Sequence, residues 1–113
     1  MTRKPSPAVF SSFELKELLK NQGNDDKIVK WIGDMKTVLT ENMYAGDLVP
    51  KNLIPQKYTT TYGVNNLYRY SHPEGYRSCY TILNREGIGV CPHILDIMDH
   101  DEYDRVFGYR RTR

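Results

Sequence analysis

The residues best suited to chemistry lie in the second half of the chain, where Arg69 and Arg77 fall on neighbouring predicted strands. A guanidinium donates two parallel hydrogen bonds from a rigid fork, so arginine is the side chain best matched to a phosphate. Lys57 is a third cation placed to contact phosphate. Arg69 can hold an anion but is a poor general base, because a guanidinium does not release its proton. His100 brings an imidazole, the side chain best suited to proton exchange near neutral pH, and Tyr103 a phenol whose pKa nearby cations can lower. Those two form a candidate acid–base pair. Phosphate binding coupled to proton transfer is the chemistry these types would perform. Each residue also has a structural reading. Arg77 can sit on a solvated strand face or pair with Glu74, and Arg69 can be a cross-strand charge. His100 can cap a helix or lie on its surface, and Tyr103 can be a C-terminal anchor packed on the sheet.

The surroundings pull in two directions. Asp96, Asp99, Asp101, Glu102 and Asp104 make the segment around His100 acidic, which opposes binding of a polyanion. Part of that run suits the N-terminus of a short helix instead. Arg105, Arg110, Arg111 and Arg113, with Tyr109 among them, make the end basic. Such a tail can reach RNA and stack on bases, or remain solvated.

Other chemistries lack their signatures. Cys79, Cys91, His93, Asp96 and His100 include ligand types, but their spacing is not that of a zinc module, so no metal and no cofactor are expected. There is no GxGxxG, P-loop, GxSxG or HExxH. The two cysteines are too few for a disulfide scaffold and read as small apolar side chains in a reducing cytoplasm. No apolar run approaches the ~20 residues that span a bilayer, and the charged start lacks an apolar core like that of a signal peptide. The 113 residues are 39% hydrophobic and 27% charged with net charge +2. This is one globular domain without a polybasic coat. Nine tyrosines, whose rings are apolar and tips polar, point to a contact surface or a small sheet core.

These residues need a scaffold, and the pattern supplies one. Residues 1–7 read as a flexible lead-in and 109–113 as a basic tail. Ala8-Val9-Phe10 fits an edge strand. Ser11 and Glu14 have capping-box spacing, ahead of a helix over about 12–21 with Phe13, Leu15, Leu18 and Leu19 as its stripe. A second helix opens near Asn24 or Asp25. It places Ile28, Trp31, Ile32, Met35, Val38 and Leu39 on one face, with Trp31 in the core. The short link makes the two an antiparallel hairpin. Residues 44–55 form a loop. Then the period changes to two over 57–62, 66–71, 76–83 and 88–98, with turns at 72–75 and 84–87. A turn of helix over 101–107 closes the chain. The expected class is α+β, a helical hairpin packed on a small, mainly antiparallel sheet.

In this order, Asn66-Leu67-Tyr68-Arg69-Tyr70, Gly75-Tyr76-Arg77-Ser78-Cys79-Tyr80 and Asp99-His100-Asp101-Glu102-Tyr103-Asp104-Arg105 resemble the strand signatures of RelE/ParE-type toxins. The upstream Lys51-Asn52-Leu53-Ile54-Pro55 and the helices fit the same order, over residues 8–109. The resemblance implies a RelE-like fold and a neutralising antitoxin encoded nearby. Catalytic members cut mRNA in the ribosomal A site, and others poison DNA gyrase. It makes Arg77 the phosphate-stabilising residue, Arg69 its partner on the preceding strand, and His100 and Tyr103 the proton-transfer groups. The implied activity is a ribosome-dependent, metal-independent mRNA endoribonuclease. The alternatives are an inactive binding module of the same fold and a ParE-like gyrase inhibitor. Ser71 departs from the pattern, since the best-studied ribonuclease type carries a second lysine there.

Overall fold

The computed structural model describes residues 4–21 and 27–108. The expected helix cap near Asn24 and the basic tail 109–113 lie outside the described residues. The elements in chain order are strand β1 (Phe10–Ser11), helix α1 (Phe13–Asn21), helix α2 (Lys27–Glu41), strand β2 (Asp47–Leu48), helix α3 (Gln56–Tyr62), strands β3 (Tyr68–Ser71), β4 (Arg77–Arg85) and β5 (Gly89–Ile94), and helix α4 (His100–Phe107). The class is α+β. The sheet order is β1-β5-β4-β3-β2. Among the described residues only the β1–β5 pair is parallel, so the sheet is mixed, and β1 precedes both N-terminal helices.

Side chains alternate across the sheet, and consecutive residues feed two separate cores. Tyr80 of β4 packs with Leu15 of α1 and with Ile32, Met35 and Leu39 of α2. Its neighbour Cys79 packs on the other face with Tyr58 of α3, Tyr103 of α4, Leu67 and Met98. The helices expected on one face therefore have a counterpart layer, α3 and α4, on the other. Cys79 and Cys91 are free and buried, and Trp31 is buried as its place on the stripe requires.

Several sequence-based expectations need correction. Residues 57–62, read as a strand, form most of α3. The helix is bracketed by Pro55 and by Gly63 in the left-handed region at φ 66°, and it stacks Tyr58 on Tyr62 one turn away. The capping box at Ser11 does not form. Ser12 caps α1 instead, its Oγ accepting the Leu15 N–H at 3.0 Å and donating to the Leu95 carbonyl at 2.8 Å. Phe13, placed on the buried stripe, is 70% exposed. Part of the expected flexible lead-in is tied down, because the Ser6 N–H donates to the Thr40 carbonyl and the Met43 N–H to the Lys4 carbonyl. The last strand stops at Ile94, but the chain returns to bridge Met98 to Arg77.

Candidate functional site

The site is set by register on the α3/α4 face of the sheet. Arg69 lies across from Cys79, and Ser71 across from Arg77. Arg69 and Arg77 are thus diagonal neighbours on one face, with Cα atoms roughly 7–8 Å apart. Helix α4 lays Tyr103 against both. Its hydroxyl accepts a hydrogen bond from Arg69 Nη1 at 3.0 Å. The Arg77 guanidinium lies 5.5 Å from the centroid of the same ring, within the range where a cation is attracted to the ring quadrupole. Arg77 is further held by the Gly75 and Tyr76 carbonyls, which accept from Nη1 at 3.2 and 3.4 Å.

His100 stands beside this group. It opens α4, and a Cβ built on Gly75 would lie 3.4 Å from its Cβ, so the ring packs over the turn that holds Arg77. Its Nδ1 is 3.3 Å from Asp104 Oδ2, one turn along the helix. A carboxylate there fixes the ring orientation. The acidic run has a structural use: Asp99 caps α4 by accepting the Glu102 N–H at 2.9 Å, and Asp101 and Glu102 sit at the positive end of the helix.

Tyr103 is only 4% exposed and also packs on Phe107, with ring centroids 4.5 Å apart. It is the C-terminal anchor as well as a contact of the arginines. A cleft of about 190 Å³ opens beside it, lined by Arg69, Tyr103, Phe107, Leu48, Val49, Pro50 and Leu53.

Lys57 does not join this group. Because residues 57–62 are helical, it lines a different cavity with Glu14, Tyr62 and Asp96, and its ammonium lies 5.4 Å from the Tyr58 ring centroid. Asp96, weighed as a metal ligand, is a structural acceptor. It takes the Tyr58 O–H at 2.6 Å and the Cys79 N–H at 3.0 Å. Burial raises its carboxyl pKa, and those two hydrogen bonds oppose the rise. Among the described residues, no three of His, Cys, Asp and Glu converge as metal ligands, and no helix is long and apolar enough to cross a membrane.

Two residues went unread in the sequence. Asp47 pairs in register with Arg69 and places Oδ2 3.4 Å from its Nη2. His72 is buried, its Nε2 2.8 Å from Ser78 Oγ. Burial, and then the charge of Arg77, push the His72 pKa down to about 4. Neither had a local signature, since each is defined by a partner on another strand or across a turn.

Comparison with protein-family models, with curated proteins and with solved structures yields no match.

Proposed function

We propose that this chain is a RelE/ParE-type toxin that acts on RNA, as a ribosome-dependent mRNA endoribonuclease held in check by an antitoxin. The observation that carries the reading is the convergence of Arg69 and Arg77, from adjacent strands, on Tyr103 of the last helix. The resemblance of their surrounding sequences supports it further. Two guanidiniums on one face can share the charge of a single phosphate.

In the proposed reaction the ribose 2′-oxygen attacks the adjacent phosphorus and the bond to the 5′-oxygen breaks. The products are a 2′,3′-cyclic phosphate and a free 5′-hydroxyl. Arg77, with Arg69, stabilises the charge that builds on the phosphoryl oxygens. His100, oriented by Asp104 and with its side chain more than half exposed, takes the 2′-hydroxyl proton, and water at this open site protonates the leaving 5′-oxygen. Tyr103 is assigned to positioning: it fixes Arg69 from below and is buried too deeply to serve as the acid.

Two features favour the second reading, a binding module of the same fold without chemistry. Ser71 lies across from Arg77 where a second lysine would strengthen the clamp, and Lys57 is elsewhere. Induced expression separates the readings. The nuclease should arrest growth and cut translated mRNA, and Arg77→Ala should abolish both. Toxicity that survives Arg77→Ala removes its assigned role. Arrest with intact mRNA and blocked supercoiling identifies a gyrase inhibitor, and no toxicity identifies the inert module.

A further inference from the structure

Arg69 already has an anion. Asp47 is its antiparallel register partner, and the carboxylate sits on the same guanidinium that Tyr103 orients. The encounter is built into the backbone. The Gly46 N–H donates to the Tyr80 hydroxyl at 2.9 Å, and the Val49 N–H donates to the Leu67 carbonyl at 2.9 Å. These bonds pin both ends of the two-residue strand β2. Gly46 itself approaches β3 so closely that a Cβ there would lie 2.6 Å from the Arg69 carbonyl oxygen. Strand β2 therefore cannot slide to carry Asp47 away.

The two arms of Arg69 differ in kind. Nη1 is held by a buried phenol. Nη2 is held by a carboxylate that is 72% exposed, at 3.4 Å. An exposed ion pair of that length contributes little and gives way readily to a better anion. A phosphate offers more acceptor oxygens and can take the fork in bidentate fashion.

We propose that Asp47 is a built-in counter-anion for Arg69 that an incoming RNA phosphate must displace, so that it sets the affinity of the site from inside the fold. This rests on the phosphate-binding reading of Arg69 and Arg77 given above. Asp47 lowers affinity for every phosphate in proportion to its hold on Arg69. Its removal increases binding only while Arg69 is present.

The test is a binding titration of a short, fluorescently labelled oligoribonucleotide at low salt with the full chain. Asp47→Asn keeps the shape and removes the charge, and it should tighten binding about three- to five-fold, the range expected for releasing an exposed ion pair. In an Arg69→Gln background the same change should do nothing. Glu86→Gln is the control for net charge. It lies in the β4–β5 turn, about 20 Å along β4 from the partner of Arg69, and should leave binding unchanged. Binding by Asp47→Asn equal to wild type overturns the proposal, as does a gain that persists in Arg69→Gln or is matched by Glu86→Gln. If Arg69→Gln and Arg77→Ala each bind like wild type, or wild type does not bind, the phosphate-site reading itself falls and this proposal with it. Thermal unfolding of each variant separates loss of binding from loss of fold.

Discussion

At the scale of single residues, Tyr103 decides how the site is to be understood. A catalytic acid must reach the leaving oxygen, yet this phenol is 4% exposed and spends its oxygen accepting from Arg69. Replacing it with phenylalanine keeps the ring, and so keeps the Phe107 contact and the face beneath Arg77. The hydroxyl's hold on Arg69 is lost. A hydrogen bond to a half-buried charged group contributes about 1 kcal/mol. Tyr103→Phe should therefore slow RNA cleavage by roughly five-fold and lower stability in urea unfolding by no more than about 1 kcal/mol. Loss of an acid would instead cost on the order of a hundred-fold or more. A single-turnover cleavage rate distinguishes the two, and a loss of that larger size would restore Tyr103 as the proton donor.

At the scale of elements, the site depends on how closely β2 approaches β3, and one glycine sets that distance. A Cβ on Gly46 would lie 2.6 Å from a backbone oxygen of β3 and 2.8 Å from a ring carbon of Tyr80, which is fully buried. Neither neighbour can move aside cheaply. Gly46→Ala should cost about 1–3 kcal/mol in urea unfolding and, by forcing β2 off β3, should also part Asp47 from Arg69. An alanine variant of unchanged stability would show that β2 is not pinned. The same elements show what the sequence makes legible. Helix α2 was readable because Trp31, Ile32, Met35 and Leu39 repeat at helical spacing and are the residues buried. Strands β3, β4 and β5 were readable from alternation and turns, and with them the facing of Arg69 and Arg77. Helix α3 was misread because Lys57-Tyr58-Thr59-Thr60-Thr61-Tyr62 is rich in β-branched and aromatic residues. Burial of Tyr58 between α4 and the sheet outweighs that preference, and the Pro55 and Gly63 brackets were the available signal. The error misplaced Lys57. Strand β2 and the parallel β1–β5 pair were not legible, because two-residue strands carry no period and their partners lie far away in sequence.

At the scale of the whole molecule, the sheet carries a helical layer on each face, and buried titratable groups lie on both, so stability follows pH through opposing terms. On the α1/α2 side His72 stacks on Trp31 and meets Ser78. Its pKa falls to about 4, first through burial and then through the charge of Arg77. The unfolded chain takes up a proton at this imidazole below about pH 6.5, whereas the folded chain resists until about pH 4. Between those values the unfolded state binds more protons, so acid destabilises the fold. A displacement of this size corresponds to about 3 kcal/mol, fully expressed only near pH 4. The His93 pKa is also lowered by burial and Arg85, and acts with the same sign. Asp96, on the α3/α4 side, works oppositely. Its raised carboxyl contributes stability in acid that is lost as pH rises through its folded value. The His72 component should be removable. His72→Gln keeps a polar partner for Ser78 and carries no titrating proton. It should lower stability at pH 7 but lose about 3 kcal/mol less than wild type between pH 6.5 and pH 4, read from urea unfolding at several pH values. A variant whose stability falls as steeply as that of wild type would place the acid sensitivity in other groups and show that the His72 pKa is not lowered by folding.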